Sequence, residues 1–148
     1  MKNPSRRALV SMLLVGTLPR SSWAAAYEKV TLYKNPQCGC CEIYAQYLRD
    51  NGFDVTVVPT NNLSAMSEEH GIPPDLEGCH LSLFGSAVVG GHVPVGIVKR
   101  FLSEKPANTV ISIPGMPAGG PGMMPGVKAG PYVVYAIVNG TSSIYATE

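Results

Sequence analysis

Three of the four cysteines in this chain fall within four residues, Cys38-Gly39-Cys40-Cys41, and the residues on either side fix what that cluster can belong to. Lys29-Val-Thr-Leu-Tyr33 is β-branched and alternating, a strand that Pro36 stops. From Cys41 onward, Ile43, Tyr44, Tyr47 and Leu48 recur at helical spacing, and Gly52 ends the helix. Phe53 to Val58 then alternates as a second strand ending at Pro59. The opening is therefore a βαβ unit with its cysteines at the helix N-terminus. Free backbone N–H groups and the helix dipole favour anions there, so a thiolate forms at lowered pKa.

Leu63 to His70 predicts a short helix, closed by Gly71 and Pro73-Pro74, with His70 placed as a favourable charge at its C-terminus. After a loop bearing Cys79 and His80, the apolar runs Leu81–Phe84 and Ala87–Val89 flank Gly85-Ser86 as a hairpin. Val95 to Glu104 is an amphipathic helix with Ile97, Val98, Phe101 and Leu102 inward. The order β-α-β-α-β-β-α is that of an α/β, thioredoxin-like domain, and cysteines beside a βαβ unit point the same way. Residues 114–131 hold six glycines, five prolines and three methionines, which excludes regular helix or a central strand. Tyr132–Val138, Asn139-Gly140 and Thr141–Ala146 predict a C-terminal β-hairpin with a type I′ turn.

Residues 1–26 have the layout of a secretory signal peptide: Lys2, Arg6 and Arg7, an apolar stretch Ala8–Leu18, then Ala24-Ala25-Ala26. Ser5-Arg6-Arg7 fits a twin-arginine signal, and two arginines are equally ordinary for the general secretion route. The apolar stretch is too short to span a bilayer, which takes about 20 residues, so stable membrane insertion is not expected. The expected mature domain, 27–148, keeps seven bases against ten acids, a net charge of −3. Its bases cluster only at Lys99-Arg100, which leaves no footprint for nucleic acid. The expected location is periplasmic.

An exported chain with four cysteines ordinarily forms disulfides. Here two bridges would require a bond inside Cys38–Cys41, and sulfurs that staple a scaffold are usually spread along the chain. Concentrated soft sulfur selects Cu(I), zinc or iron–sulfur species. Adjacent Cys40 and Cys41 suit a bridged cluster, and Cu(I), which accepts bridging thiolates, is the favoured ion. The alternative is a redox or structural disulfide between Cys38 and Cys41. Cys79 is the one remaining candidate thiolate, or else a small buried residue. His80 beside it is a ligand, a neighbour that orients one, or solvated. His92 sits after Gly90-Gly91, glycines that let the backbone approach something closely. Met116, Met123 and Met124 are soft donors or gap fillers.

These residues resemble a known family. Tyr33-Lys-x-Pro36-x-Cys38-Gly-Cys-Cys41, Gly52-Phe53-x-Val55, Gly71-Ile-Pro73, Cys79-His80, Gly91-His92-Val93-Pro94 and Pro114-Gly-Met-Pro117 are similar to the CopG-type exported proteins, the family of unknown function numbered 411. The resemblance spans about Lys29 to Glu148. It implies a thioredoxin-like fold, export, a role in copper resistance beside other periplasmic copper-handling proteins, and Cu(I) held by Cys38, Cys40, Cys41 and Cys79. It also implies an oxidoreductase that changes the valence of copper. The chain departs from the pattern at Leu81, where Thr is common, at Tyr44, where Trp is usual, and at Ala87–Gly90, where an acidic residue precedes Gly-His. Two other functions compete: a thiol–disulfide oxidoreductase using Cys38 and Cys41, and a passive module whose Met-rich loop meets a partner.

Overall fold

Alternation in the first two apolar runs produces a parallel pair, and everything else is added to its flank. The computed structural model describes residues 28–123, 126 and 130–148. The expected signal peptide at 1–26 and Met124 lie outside them. Strand β1 (Glu28–Lys34) runs parallel to β2 (Phe53–Pro59), and helix α1 (Gly39–Asp50) crosses between them. Helix α2 (Leu63–Glu69) and a 3₁₀ turn (Pro74–Leu76) lead to β3 (His80–Phe84) and β4 (Ala87–Gly90). Helix α3 (Val95–Glu104) precedes β5 (Thr109–Ser112), β6 (Val133–Val138) and β7 (Thr141–Thr147). The strands form one seven-stranded mixed sheet in the order β2-β1-β3-β4-β5-β6-β7.

The period-2 rule assigns the two faces. Val30, Leu32, Phe84, Val89, Ile111 and Val134 point to one side, where they meet Tyr44, Ala45 and Leu48 of α1 and Ile97, Val98 and Phe101 of α3. Leu81, Val88 and Ile137 point to the other and pack on Ile72 and Leu76, with Leu63 and Met66 alongside. Burying these side chains stabilises the domain by roughly 2 kcal/mol each. His80 and Ser82 share the parity of Phe84, so they face α1.

The anticipated order of elements holds through α3, and the sheet then gains β5 to β7. Strand β5 was not expected. It offers only four residues and pairs with β4 through two register positions, too short a run for period 2 to mark. Ile43, expected on the inner face of α1, is 54% exposed; Cys41, Tyr44, Ala45 and Leu48 form that face instead. The Asn139-Gly140 turn has both residues at positive φ, 50° and 77°, as a type I′ turn requires. Among the described residues, no helix is long and apolar enough to cross a membrane.

Candidate metal centre

The end of β1 turns directly into the cysteines. Cys38 N–H donates to the Asn35 carbonyl at 3.0 Å and Gln37 N–H to Asn35 Oδ1 at 3.1 Å, closing a turn that Pro36 stiffens. Cys38 then occupies the N-cap position of α1 and makes no side-chain cap bond. A Ser, Thr, Asp or Asn there would satisfy a free helix N–H and typically add about 1 kcal/mol. The chain forgoes that stabilisation and places a sulfur instead. Beneath the turn, Lys34 is buried, and its ammonium donates to the carbonyls of Asn35, Pro36 and Cys38 at 3.1, 3.2 and 3.2 Å.

Cys38 and Cys41 are joined as a disulfide, while Cys40 and Cys79 are free. Cys40 Sγ lies 3.4 Å from Cys38 Sγ and 3.9 Å from Cys79 Sγ, and Cys41 Sγ lies 3.6 Å from Cys79 Sγ. All four sulfurs fall within 4.8 Å of one another. The structure thus carries the disulfide alternative, with the other two thiols in van der Waals reach of it. Only the reduced form presents four thiolates to a soft ion.

Cys79 reaches this group because two glycine backbones touch. A Cβ on Gly78 would lie 2.4 Å from the Gly91 Cα, and one on Gly91, at φ +72°, would lie 2.5 Å from the Ile113 carbonyl. This contact sets His92 against Cys79, with Nε2 3.0 Å from Sγ. His92 Nδ1 lies 2.6 Å from the Pro121 carbonyl, which can only accept, so the proton sits on Nδ1. The Nε2 lone pair therefore faces the sulfur, and the thiol donates to it. The partner of His92 Nδ1 is thus a backbone carbonyl, and in the Ala87–Gly90 segment Val88 and Val89 are buried core.

His80 is the first residue of β3 and fully buried, not a solvated loop residue. Its Nδ1 lies 3.6 Å from Cys79 Sγ, and its Nε2 has no hydrogen-bond partner. Its ring lies 4.5 Å from that of Tyr44 and 4.8 Å from that of His92, and the Tyr44 hydroxyl donates to the Val93 carbonyl at 2.7 Å. Tyr44, at the position where the family resemblance leads one to expect Trp, is thus the floor beneath both imidazoles. Cys41, Cys79, His80 and His92 form a second group of donors within 4.8 Å of one another.

Burial, and then the neighbouring Cys40, push the Cys79 thiol up to about 12. Burial, with His92 adding to it, holds His80 well below its ordinary value, against a weaker pull from the Gly91 backbone. Burial also lowers His92, against the Pro121 carbonyl. The site is therefore neutral when metal-free: protonated thiol and unprotonated imidazoles. Neutral imidazole nitrogen is a ligand as it stands, whereas Cys79 must exchange its proton for a metal.

All six residues singled out from sequence, Cys38, Cys40, Cys41, Cys79, His80 and His92, meet at this one end of the sheet. His70 does not; it caps α2 and lines a cavity of about 680 Å³ at the far end beside Phe84 and Lys105. That cavity holds no cysteine, and the chemistry lies elsewhere. Met116 is one methionine whose neighbourhood spacing did not reveal. Its Sδ lies 3.7 Å from Cys40 Sγ on the solvent side, and its side chain is largely exposed. A bridge between Gly78 and Gly115 and a bond from Gly115 N–H to the Glu77 carbonyl at 2.9 Å hold it there. The Gly-x-Met step next to prolines was the available signal.

This α/β sheet with a sulfur-rich end has relatives. Residues 76–123 match the model of a family described as protein of unknown function, DUF411. Two solved structures of a copper resistance protein copG, forms 2 and 1, superpose with a TM-score of 0.74 at 30% identity. Each comparison covers 81% of this chain and 97% or 96% of the other. No curated protein matches the chain. The chain belongs to the CopG-type DUF411 family.

Proposed function

We propose that this protein is an exported, periplasmic Cu(I)-binding protein of copper resistance, with copper as its cargo. The convergence of four cysteine sulfurs within 4.8 Å carries this reading. Thiolates prefer soft Cu(I), which accepts low coordination numbers and bridging sulfur. The imidazoles of His80 and His92 and the Met116 thioether add donors of suitable softness at the edge of the group. The copper resistance role of the structurally similar copG proteins supports the same assignment. The layout of residues 1–26 supports export.

The Cys38–Cys41 disulfide favours a second reading, thiol–disulfide or copper-valence chemistry. Cys38 is half-buried and can be approached, while Cys41 is fully buried and suited to resolve. Closing the reduced pair releases two protons and two electrons, which would convert two Cu(II) to two Cu(I). Anaerobic titration of the fully reduced protein with Cu(I) against a chromophoric chelator tests the first reading. More than one Cu(I) per chain is expected. Saturation at one ion excludes a bridged cluster, and no uptake excludes the function.

A further inference from the structure

Lys34 is the only buried lysine or arginine among the described residues, and nothing in copper binding by thiolates calls for it. Its side chain is 3% exposed. Its single carboxylate neighbour, Glu42 Oε1 at 3.3 Å, stands on the first turn of α1 with 56% exposure. A surface-type ion pair of that kind does not repay the desolvation of an ammonium. What surrounds the ammonium instead is backbone: three carbonyls, from Asn35, Pro36 and Cys38, all within 3.2 Å. Those carbonyls belong to the turn that delivers Cys38. Asn35 also accepts the Cys38 N–H, so one carbonyl ties the ammonium and the cysteine backbone together.

The far side of Lys34 is equally fixed. Its backbone carbonyl accepts the Thr60 N–H at 2.8 Å, and it stands in register with Pro59 of β2 and His80 of β3. The residue thus joins the start of β3, at His80, with the loop that carries Cys38. The cysteine loop has no cap of its own at Cys38, so its shape depends on what holds its carbonyls.

We propose that Lys34 is a positioning residue: its ammonium clamps the Asn35–Cys38 carbonyls and thereby holds the Cys38 sulfur in reach of Cys40, Cys41 and Cys79. The copper consequence rests on the function proposed above; the consequence for the disulfide does not. With the clamp in place, Cys38 and Cys41 are presented to each other at high effective concentration. The exchange is dithiol plus oxidised glutathione giving the intramolecular disulfide plus two reduced glutathiones. Removing the clamp moves this equilibrium toward the dithiol.

The test is Lys34→Met, which keeps the apolar stem and removes the donors, measured on folded protein well below its own melting midpoint. The dithiol–disulfide equilibrium in glutathione buffer is expected to shift about tenfold toward the dithiol, about 30 mV. Cu(I) affinity of the reduced protein is expected to fall at least tenfold. If only the melting midpoint drops while both equilibria stay put, Lys34 is structural and the proposal fails. A shift toward the disulfide would mean that the lysine acts through its charge on thiolates, which also overturns it. Should Lys34→Met not fold, Lys34→Arg carries the same test. It keeps the charge, yet its flat fork cannot aim three N–H groups at one knot of carbonyls, so the same direction is expected and no shift refutes the clamp. Wild-type protein that takes up no Cu(I) would sink the copper reading and leave the glutathione result to judge Lys34.

Discussion

The two halves of the sulfur centre are built by different means. The Cys38–Cys41 half is local: a four-residue turn, a helix N-terminus and a lysine four positions back fix every sulfur in it. The Cys79–His80–His92 half is assembled from a distance. Cys79 meets Cys40 across 39 positions, and His92 finds its Nδ1 partner 29 positions on. The second half therefore depends on close backbone packing at Gly78 and Gly91, whereas the backbone of the first is set within a few residues.

Gly91→Ala should show the largest effect. The new Cβ would meet the Ile113 carbonyl at 2.5 Å, on a backbone at φ +72° that L-residues resist. Together these should cost about 3 kcal/mol or more in urea unfolding. Gly39→Ala in the other half meets nothing within 4 Å and should leave the unfolding midpoint unmoved or slightly raised. Equal effects at the two glycines would erase the distinction between the halves.

Cys40→Ser reverses the pattern. Cys40 touches Cys38, Cys79 and Met116 through sulfur alone. Cu(I) affinity should fall about a hundredfold, about 2.7 kcal/mol, with fewer ions bound, while the Cys38–Cys41 disulfide still forms. Full copper capacity in this variant would rule out a bridged cluster and leave thiol exchange as the better reading. Cys79→Ala should weaken Cu(I) binding by at least tenfold, about 1.4 kcal/mol, with little change in the melting point of the metal-free protein. Lost stability at unchanged affinity would mean that Cys79 is core and the site local.

The same division explains what could be read from sequence. The CGCC turn, α1 and the hairpins announce themselves through Pro36, Asn139-Gly140 and apolar spacing, because those signals act within a few residues. Ile43 misled because helical spacing alone cannot say which of two adjacent stripes meets the sheet; the neighbouring strands decide it. His80 looked like a loop residue because β3 begins one residue before its apolar run, and parity then turns the ring inward under Tyr44. The cysteine and histidine pattern was enough to nominate His92, but its proton position depends on the Pro121 carbonyl, which no spacing predicts. Lys34 stood in the motif beside Tyr33, but nothing in the sequence showed that it is buried, since a lysine at the end of a strand usually points to water.

The smallest effect separates the halves by pH. In the folded, metal-free protein, burial holds His80 and His92 below their ordinary 6.5, so both stay neutral inside. Unfolding frees them to bind protons once the pH drops below that value. The unfolded chain then holds more protons than the folded one, and stability falls as pH falls. The stabilisation from neutral burial is fully present above about pH 6.5 and is lost progressively below it. Cys79, pushed up to about 12, remains protonated throughout this range and contributes nothing to the slope. Melting midpoints of the reduced, metal-free protein should therefore be level between pH 7 and 8 and decline from pH 6.5 toward 5.5. His92→Gln should make that decline shallower, because one buried imidazole is gone while the amide can still donate to Pro121. The Cys40→Ser variant, altered in the other half, should follow the wild-type curve. A decline of the same steepness after His92→Gln would show that the imidazole beside Cys79 is not held neutral by the fold, and would remove the Nε2 lone pair from the donors offered to copper.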